Sequence, residues 1–443
     1  MNRQSTRSAP VFAAAIIACA ALPAFVGCAG DSPTEPDYTG GATYLVDPEG
    51  GGDFTAIQPA LSAAVTGDTV RVLAGTYAGA SNRDLDFGGA DVVLLAVAAR
   101  GSVVIDCEGE GRGFYLHNGE TRDAVIDGLI VKNGSAYRGG GAQFDGASPT
   151  IRNTVFESNE AGLDGGGVYM RNGAAPSFAD VTFEDNTADF SGGGLKSDPD
   201  CSPELTRVDF VGNYAASGAG ASFIFSDGAT LFEVTFVGNE SISSGGGLYC
   251  GNSDVALDEA TFLQNSATDG GAIALSGSSP SISHVTIANN QSGDGGGIYC
   301  DYGSSPVVRT TVMAFNLGEG SVYCADEASQ PNTANCLIYP DLVSNIPCGD
   351  SEDNLYGDPL FCGLPGGDVS LCANSPCLPG GNAWGLRVGD RGQGCGECGS
   401  TRLPTDLEPV GRATGLARRG MPSLQLHGPK KLMGRYQGDV QVK

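Results

Sequence analysis

Three acid–base side chains stand at a common interval in the middle of this sequence. Glu233, Glu259 and His284 each lie three residues before an apolar residue that opens a recurring tetrapeptide, at steps of 26 and 25 residues. If the chain returns to the same place at that interval, Glu233 and Glu259 become the paired carboxylates that proton-transfer chemistry uses, with His284 next in line. The plainer reading is a solvated face, because exposed strand positions carry charge for solubility alone. Asp269 and Asp294 both directly precede glycine turns 25 residues apart. Two carboxylates brought that close repel each other unless a cation lies between them, and calcium favours such oxygen ligands at turns. Asp before Gly is equally good turn chemistry. Cys300 and Cys324 follow "IY" and "VY" in the same way, which predicts a disulfide if stacking brings them within about 7 Å. "CGEC" at Cys395–Cys398 has no second Cys pair or His nearby, so it reads as disulfide chemistry and not as zinc.

What would bring these residues together is a repeat. The tetrapeptides "IVKN", "FESN", "FEDN", "FVGN", "FVGN", "FLQN", "IANN" and "MAFN" end on Asn133, Asn159, Asn186, Asn213, Asn239, Asn265, Asn290 and Asn316, at steps of 25 to 27 residues. Glycine clusters such as "DGGGVY" and "SGGGLK" keep the same beat. A fixed period of this length marks a solenoid. Inside each unit the apolar residues alternate, as Val234 and Phe236 do against Glu233 and Thr235, so the units are strands. Short strands and glycine turns in about 26 residues make one coil of a parallel β-helix, with coils stacked about 4.8 Å apart. Phe156, Phe183, Phe210, Phe236 and Phe262 should then stack inside, and the eight asparagines should form an internal ladder. Asn suits that place because its amide both donates and accepts. Thr182, Thr235, Thr261 and Thr286 should form an outward column, interrupted by Asp209.

At these residues the chain resembles the right-handed parallel β-helix family, the pectate-lyase-like superfold. The pairing of GG-apolar with FxxN is similar to the repeats of the chlamydial polymorphic outer membrane proteins. The resemblance covers roughly half the chain and implies a bacterial envelope or secreted protein, often an adhesin, without shared catalytic machinery. The fold class expected is therefore all-β: a β-helix over 43–341, opened by a helical cap and closed by a Cys-rich cap over 342–398. The cap helix is predicted around "FTAIQPALSAA", with Thr55 and Gln58 at capping-box spacing. The "GDF-T-IQ-A" pattern there also resembles the opening of pectin methylesterases.

The ends carry other signals. Residues 1–27 read as a secretory signal: Arg3 and Arg7, then an apolar run to Val26. "FVGC" resembles a lipobox, which implies a lipid on Cys28, and 28–42 is a polar tether. Residues 399–443 hold eight Lys and Arg against three Asp and Glu and lack strand alternation, so a basic, disordered tail is expected. The chain carries a formal charge of −27, which argues against nucleic acid or an anionic membrane as a partner. Its membrane contact would be through the lipid only. Of 14 Cys, the 12 beyond the signal and lipobox are even in number, as in exported proteins.

These readings converge on an exported protein of the bacterial outer membrane surface or extracellular space. Its role would be structural, adhesive or glycan-binding, its partner a cell-surface glycan or another surface protein. No cofactor is required, and calcium is the one the acidic pair would admit. The alternative is a carbohydrate-active enzyme, a lyase or hydrolase on an acidic polysaccharide. No lyase, esterase or hydrolase motif is recognisable among the repeats.

Overall fold

Strand register in this chain repeats from coil to coil almost without interruption. The computed structural model describes residues 41–97, 101–339 and 348–399. One column of paired strand residues starts at Thr43 and ends at Asp350, thirteen coils in all. Every pairing along this column is parallel, as a single direction of winding requires. The long sheet receives two strand segments per coil. A second sheet runs from Phe114–Leu116 to Val322–Cys324, and a third lies between the two. The chain is thus an all-β parallel β-helix with very little helix. Its register runs on through Leu355–Tyr356, within the stretch assigned to the closing cap.

The interior is built of like residues over like. Phe156, Phe183, Phe210, Phe236 and Phe262 stack with centroids 4.5–5.3 Å apart and planes within 9°. Beside them runs the asparagine ladder. Asn186 Nδ2 donates to Asn213 Oδ1 at 3.1 Å and to the Phe156 carbonyl at 2.9 Å, while Asn186 Oδ1 accepts from Asn159 N and Nδ2, both at 3.0 Å. From Asn186 to Asn290 each buried amide uses both donors and both lone pairs, so the middle of the polar line is fully satisfied. The ladder continues through Asn239, Asn265 and Asn290 to Asn316. Glycine triplets pack over the phenylalanines. A Cβ on Gly194 would meet the Gly220 carbonyl at 2.6 Å and the Phe210 ring at 2.8 Å.

Asn133 is not in the ladder. Val131, not Ile130, pairs with Phe156, so Gly134 occupies the ladder position and donates its N–H to Asn159 Oδ1. Asn133 is displaced by one residue into an exposed turn at φ 56°, where it donates to Asp106. In a strand a one-residue shift exchanges inside for outside.

The opening helix, α1 (Ile57–Ala63), covers the first coils with Ile57, Ala60 and Leu61. No side chain of its own caps it. Asn82 Oδ1 accepts from Ile57 N instead, and Gln58 is drawn away to the backbone of Asp86.

A Cys-rich segment follows the last coil. Residues 358–398 fold back along the outside of the long sheet. There Phe361, Leu364, Val369, Leu371, Cys377 and Val388 pack on Leu263, Ala288, Val312, Ala314, Phe315 and Leu337. Two disulfides, Cys362–Cys395 and Cys372–Cys398, lie wholly inside it. The expected Cys300–Cys324 bridge is absent: Cys324 joins Cys348, and Cys300 is a free, buried thiol. The two are register neighbours, but their Cβ bonds point in parallel into the core. Cys348 lies outside any strand and packs against the core beside Cys324, with a Cα separation of 5.4 Å that suits a disulfide. Cys28 and the tail beyond 399 lie outside the described residues.

Candidate functional site

The residues expected to do acid–base chemistry share one structural reason for their spacing. Asn153, Asp180, Arg207, Glu233, Glu259, His284 and Thr310 all have φ between 46° and 57°. They form the left-handed corner at which each coil of the long sheet turns between its two strands. Side chains there face outward, but their partners differ. Arg207 holds Asp180 through two nitrogens at 2.7 and 2.8 Å and reaches Glu233 at 4.0 Å. Glu259 is taken by Arg387 of the folded-back segment at 2.8 Å. His284 Nδ1 lies 3.0 Å from Asp258, not beside Glu259. Asp180 and Glu233 thus share Arg207, while Glu259 turns to Arg387, so the two glutamates face different guanidinium groups.

Asp269 and Asp294 do come together. They bridge as neighbours in the third sheet, and Glu319 follows Asp294 in the same column. Burial, and then the charge of Asp294, hold the Asp269 carboxyl above the usual range. The rings of Tyr299 and Tyr323, centroids 5.7 Å apart, stand close enough that these carboxylates raise both phenols, after burial.

That neighbourhood leads onto the outer face of the second sheet, where the most elaborate polar cluster lies. Its central column reads Tyr115, Gln143, Tyr169, Lys196, Ser222, Tyr249, Ala274, Tyr299 and Tyr323. Lys196 is only 2 % exposed. Its ammonium lies 3.3 Å from Asp198 Oδ1 and donates to the Ser197 carbonyl at 3.1 Å. Burial pulls its pKa down, against the opposing pull of Asp198 and Asp164. Asp164 is buried too, 3.2 Å from Arg138 Nε, and its Oδ1 has no hydrogen-bond partner. Burial raises its carboxyl, with Lys196 and Arg138 opposing. Tyr169 donates its hydroxyl to Asp198 at 2.5 Å, and the Arg138 guanidinium lies 5.1 Å from its ring centroid. Arg171, paired with Asp145, and Arg112, 5.2 Å from the Tyr115 ring centroid, extend the cluster. Arginines over aromatic rings and an amine between carboxylates give this face apolar plates edged by donors and acceptors.

Residues 193–340 match the family model described as a right handed beta helix region. That stretch includes Lys196, five of the seven ladder asparagines, Asn213 to Asn316, and three of the five tyrosines of the column. No curated protein matches the sequence. Among solved structures, the pectate lyase Pel9A is similar at 14% identity and a TM-score of 0.44, over 80% of this chain and 96% of its own. A mannuronic acid specific polysaccharide family 6 lyase from human gut microbiota is similar at 14% identity and 0.37, over 71% and 83%. The family 6 alginate lyase AlyGC is similar at 12% identity and 0.31, over 84% and 58%.

Within this β-helix the sequence signal for the second-sheet cluster is a Lys where the other coils place Tyr, Gln, Ser or Ala after the glycine cluster. Its weight is visible only when Asp164, from the preceding coil, and Asp198 are seen closing on it. The sulfurs of Cys395 and Cys398 are consumed in disulfides with Cys362 and Cys372, so "CGEC" offers no thiolates to zinc.

Proposed function

We propose that this protein is an exported, lipid-tethered surface β-helix that binds a glycan along the outer face of its second sheet. The observation that carries the reading is the column of tyrosines on one face of the second sheet, of which Tyr115, Tyr249, Tyr299 and Tyr323 are half-buried and open to a ligand while Tyr169 is buried beneath its neighbours. A sugar ring packs its C–H face on such a plate while its hydroxyls bond the flanking charged groups. Arg138 and Arg171 supply donors at one end, and Asp269, Asp294 and Asp301 supply acceptors at the other. Three disulfides favour an oxidising compartment. Cys28 would carry the lipid.

One observation favours a second reading, catalysis on a carbohydrate. Lys196 is an amine whose neutral form is favoured by burial, held beside Tyr169 and two carboxylates, and such a group can take a proton. Both readings are tested together. The purified protein is screened on a glycan array, and bound glycans are incubated with it while shortened or unsaturated products are followed. Binding without products, weakened tenfold or more by Tyr299→Ala, supports the first reading. Products that vanish in Lys196→Met support the second. No binding to any glycan overturns both.

A further inference from the structure

The outward columns of the long sheet change character along the helix. One reads Asp106, Lys132, Glu157 and Glu184, then Val211, Val237, Leu263, Ala288 and Ala314. The charged positions are half-buried to exposed, and the last three apolar ones lie under residues 358–398. A face that becomes apolar where a segment covers it is shaped for that cover. The cover itself is cross-linked only to itself. Both its disulfides are internal, and among the described residues no disulfide joins it to the coils. Among the described residues its polar contacts with the sheet gather around residues 387–391: Arg387 to Glu259 at 2.8 Å, Thr261 Oγ1 to Asp390 at 2.5 Å, Asp390 N to Thr286 Oγ1 at 3.3 Å, Arg391 to Thr261 at 3.2 Å, and Gly389 N to the Thr310 carbonyl at 2.7 Å. Asp390 keeps one buried oxygen without a partner.

We propose that residues 358–398 are a lid, held rigid by their own disulfides, that undocks from the long sheet as a unit while the β-helix stays folded. Opening uncovers Thr261, Thr286 and the apolar strip beside them, a surface separate from the tyrosine face. Locally cooperative units with few anchoring contacts open below the global unfolding free energy. The internal disulfides keep the lid intact when it leaves, so it can redock.

The chain carries its own reporters. Cys377 is a free thiol buried in the lid contact, whereas Cys250 and Cys300 are free thiols in the helix core. The intact, oxidised protein is incubated with a maleimide and modification is read per cysteine by mass spectrometry. Cys377 should react at least tenfold faster than Cys250 and Cys300. Gly389→Val should raise the Cys377 rate a further tenfold and leave the core thiols unchanged, because a Cβ there meets Thr286 Oγ1 at 2.8 Å and Val312 at 2.9 Å. Glu259→Gln, a milder change on the sheet side, should raise it several-fold. Cys377 reacting no faster than the core thiols, in the parent and both variants, overturns the proposal, since the lid would then leave only when the helix unfolds.

Discussion

Replacing Asn213 by Ala should cost far more than any change at Asn133, although both end the same tetrapeptide. Asn213 is fully buried and makes four side-chain hydrogen bonds. Its Nδ2 donates to the Phe183 carbonyl and to Asn239 Oδ1, both at 2.9 Å. Its Oδ1 accepts from Asn186 N at 3.0 Å and Asn186 Nδ2 at 3.1 Å. Truncation removes all four, at about 1 kcal/mol net each, and leaves the backbone N–H of Asn186 without this acceptor. The expected loss is about 4 kcal/mol or more, in the range reserved for broken buried networks. Asn133 offers only an exposed bond to Asp106, and glycine is at ease at its φ of 56°. Asn133→Gly should therefore stay within about 0.5 kcal/mol. Urea unfolding followed by circular dichroism gives both values from the midpoint shift, provided the slope is unchanged. A solenoid that unfolds in stages would show a changed slope. Equal losses at the two sites, or a neutral Asn213→Ala, would refute the assignment of the ladder's register and of its energetic weight.

Three further outcomes follow from other sites. Calcium should raise the melting temperature by bridging Asp269 and Asp294, and Asp294→Asn should abolish the shift; an unchanged melting temperature in the parent protein ends the idea. Asp301, raised to about 6 by burial first and by Asp326 and Asp269, holds a proton in the folded state at pH values where the unfolded chain, at 3.8, has lost it. The folded state is therefore disfavoured as pH rises through that window, so Asp301→Asn should stabilise the protein at pH 7 and match the parent near pH 4. Coincident stability curves at both pH values would contradict the burial argument. Under denaturing, non-reducing conditions an alkylating reagent should label Cys300 and leave Cys324 and Cys348 unlabelled; labelled Cys348 would mean the bridge is elsewhere.

The winding was legible because its signal is redundant: eight tetrapeptides and seven glycine clusters state one period. A period fixes which residue recurs, but not which of two neighbours faces in. "IVKN" satisfied the interval with Asn133, yet the strand pairs through Val131, and Gly134 takes the inward place. The bridge of Cys324 failed on a related point, since stacking gives proximity while a disulfide also needs converging Cβ bonds.

The lid was hidden for a different reason. Its contacts join residues about 130 apart with no shared motif, as Arg387 and Glu259 are. Even so, half of the contact was written in the repeats. Outward strand positions should be polar, and the change from Lys132, Glu157 and Glu184 to Leu263, Ala288 and Ala314 breaks that rule in successive coils. In a solenoid such a break cannot be absorbed by a distant core, because each coil meets only its neighbours and solvent. Something must cover it, and in this chain the cover is the segment that follows the last coil. The same logic applied to the second sheet explains why Lys196 does not stand out in the sequence. A single Lys in a column of Tyr, Gln, Ser and Ala breaks no rule of polarity, and it becomes unusual only through the glycine turn, whose tight angle brings Asp164 of the third sheet close to it. Contacts along a column are written in the period; contacts across columns depend on the angle of the turn between them, which is where the chemistry of this face resides.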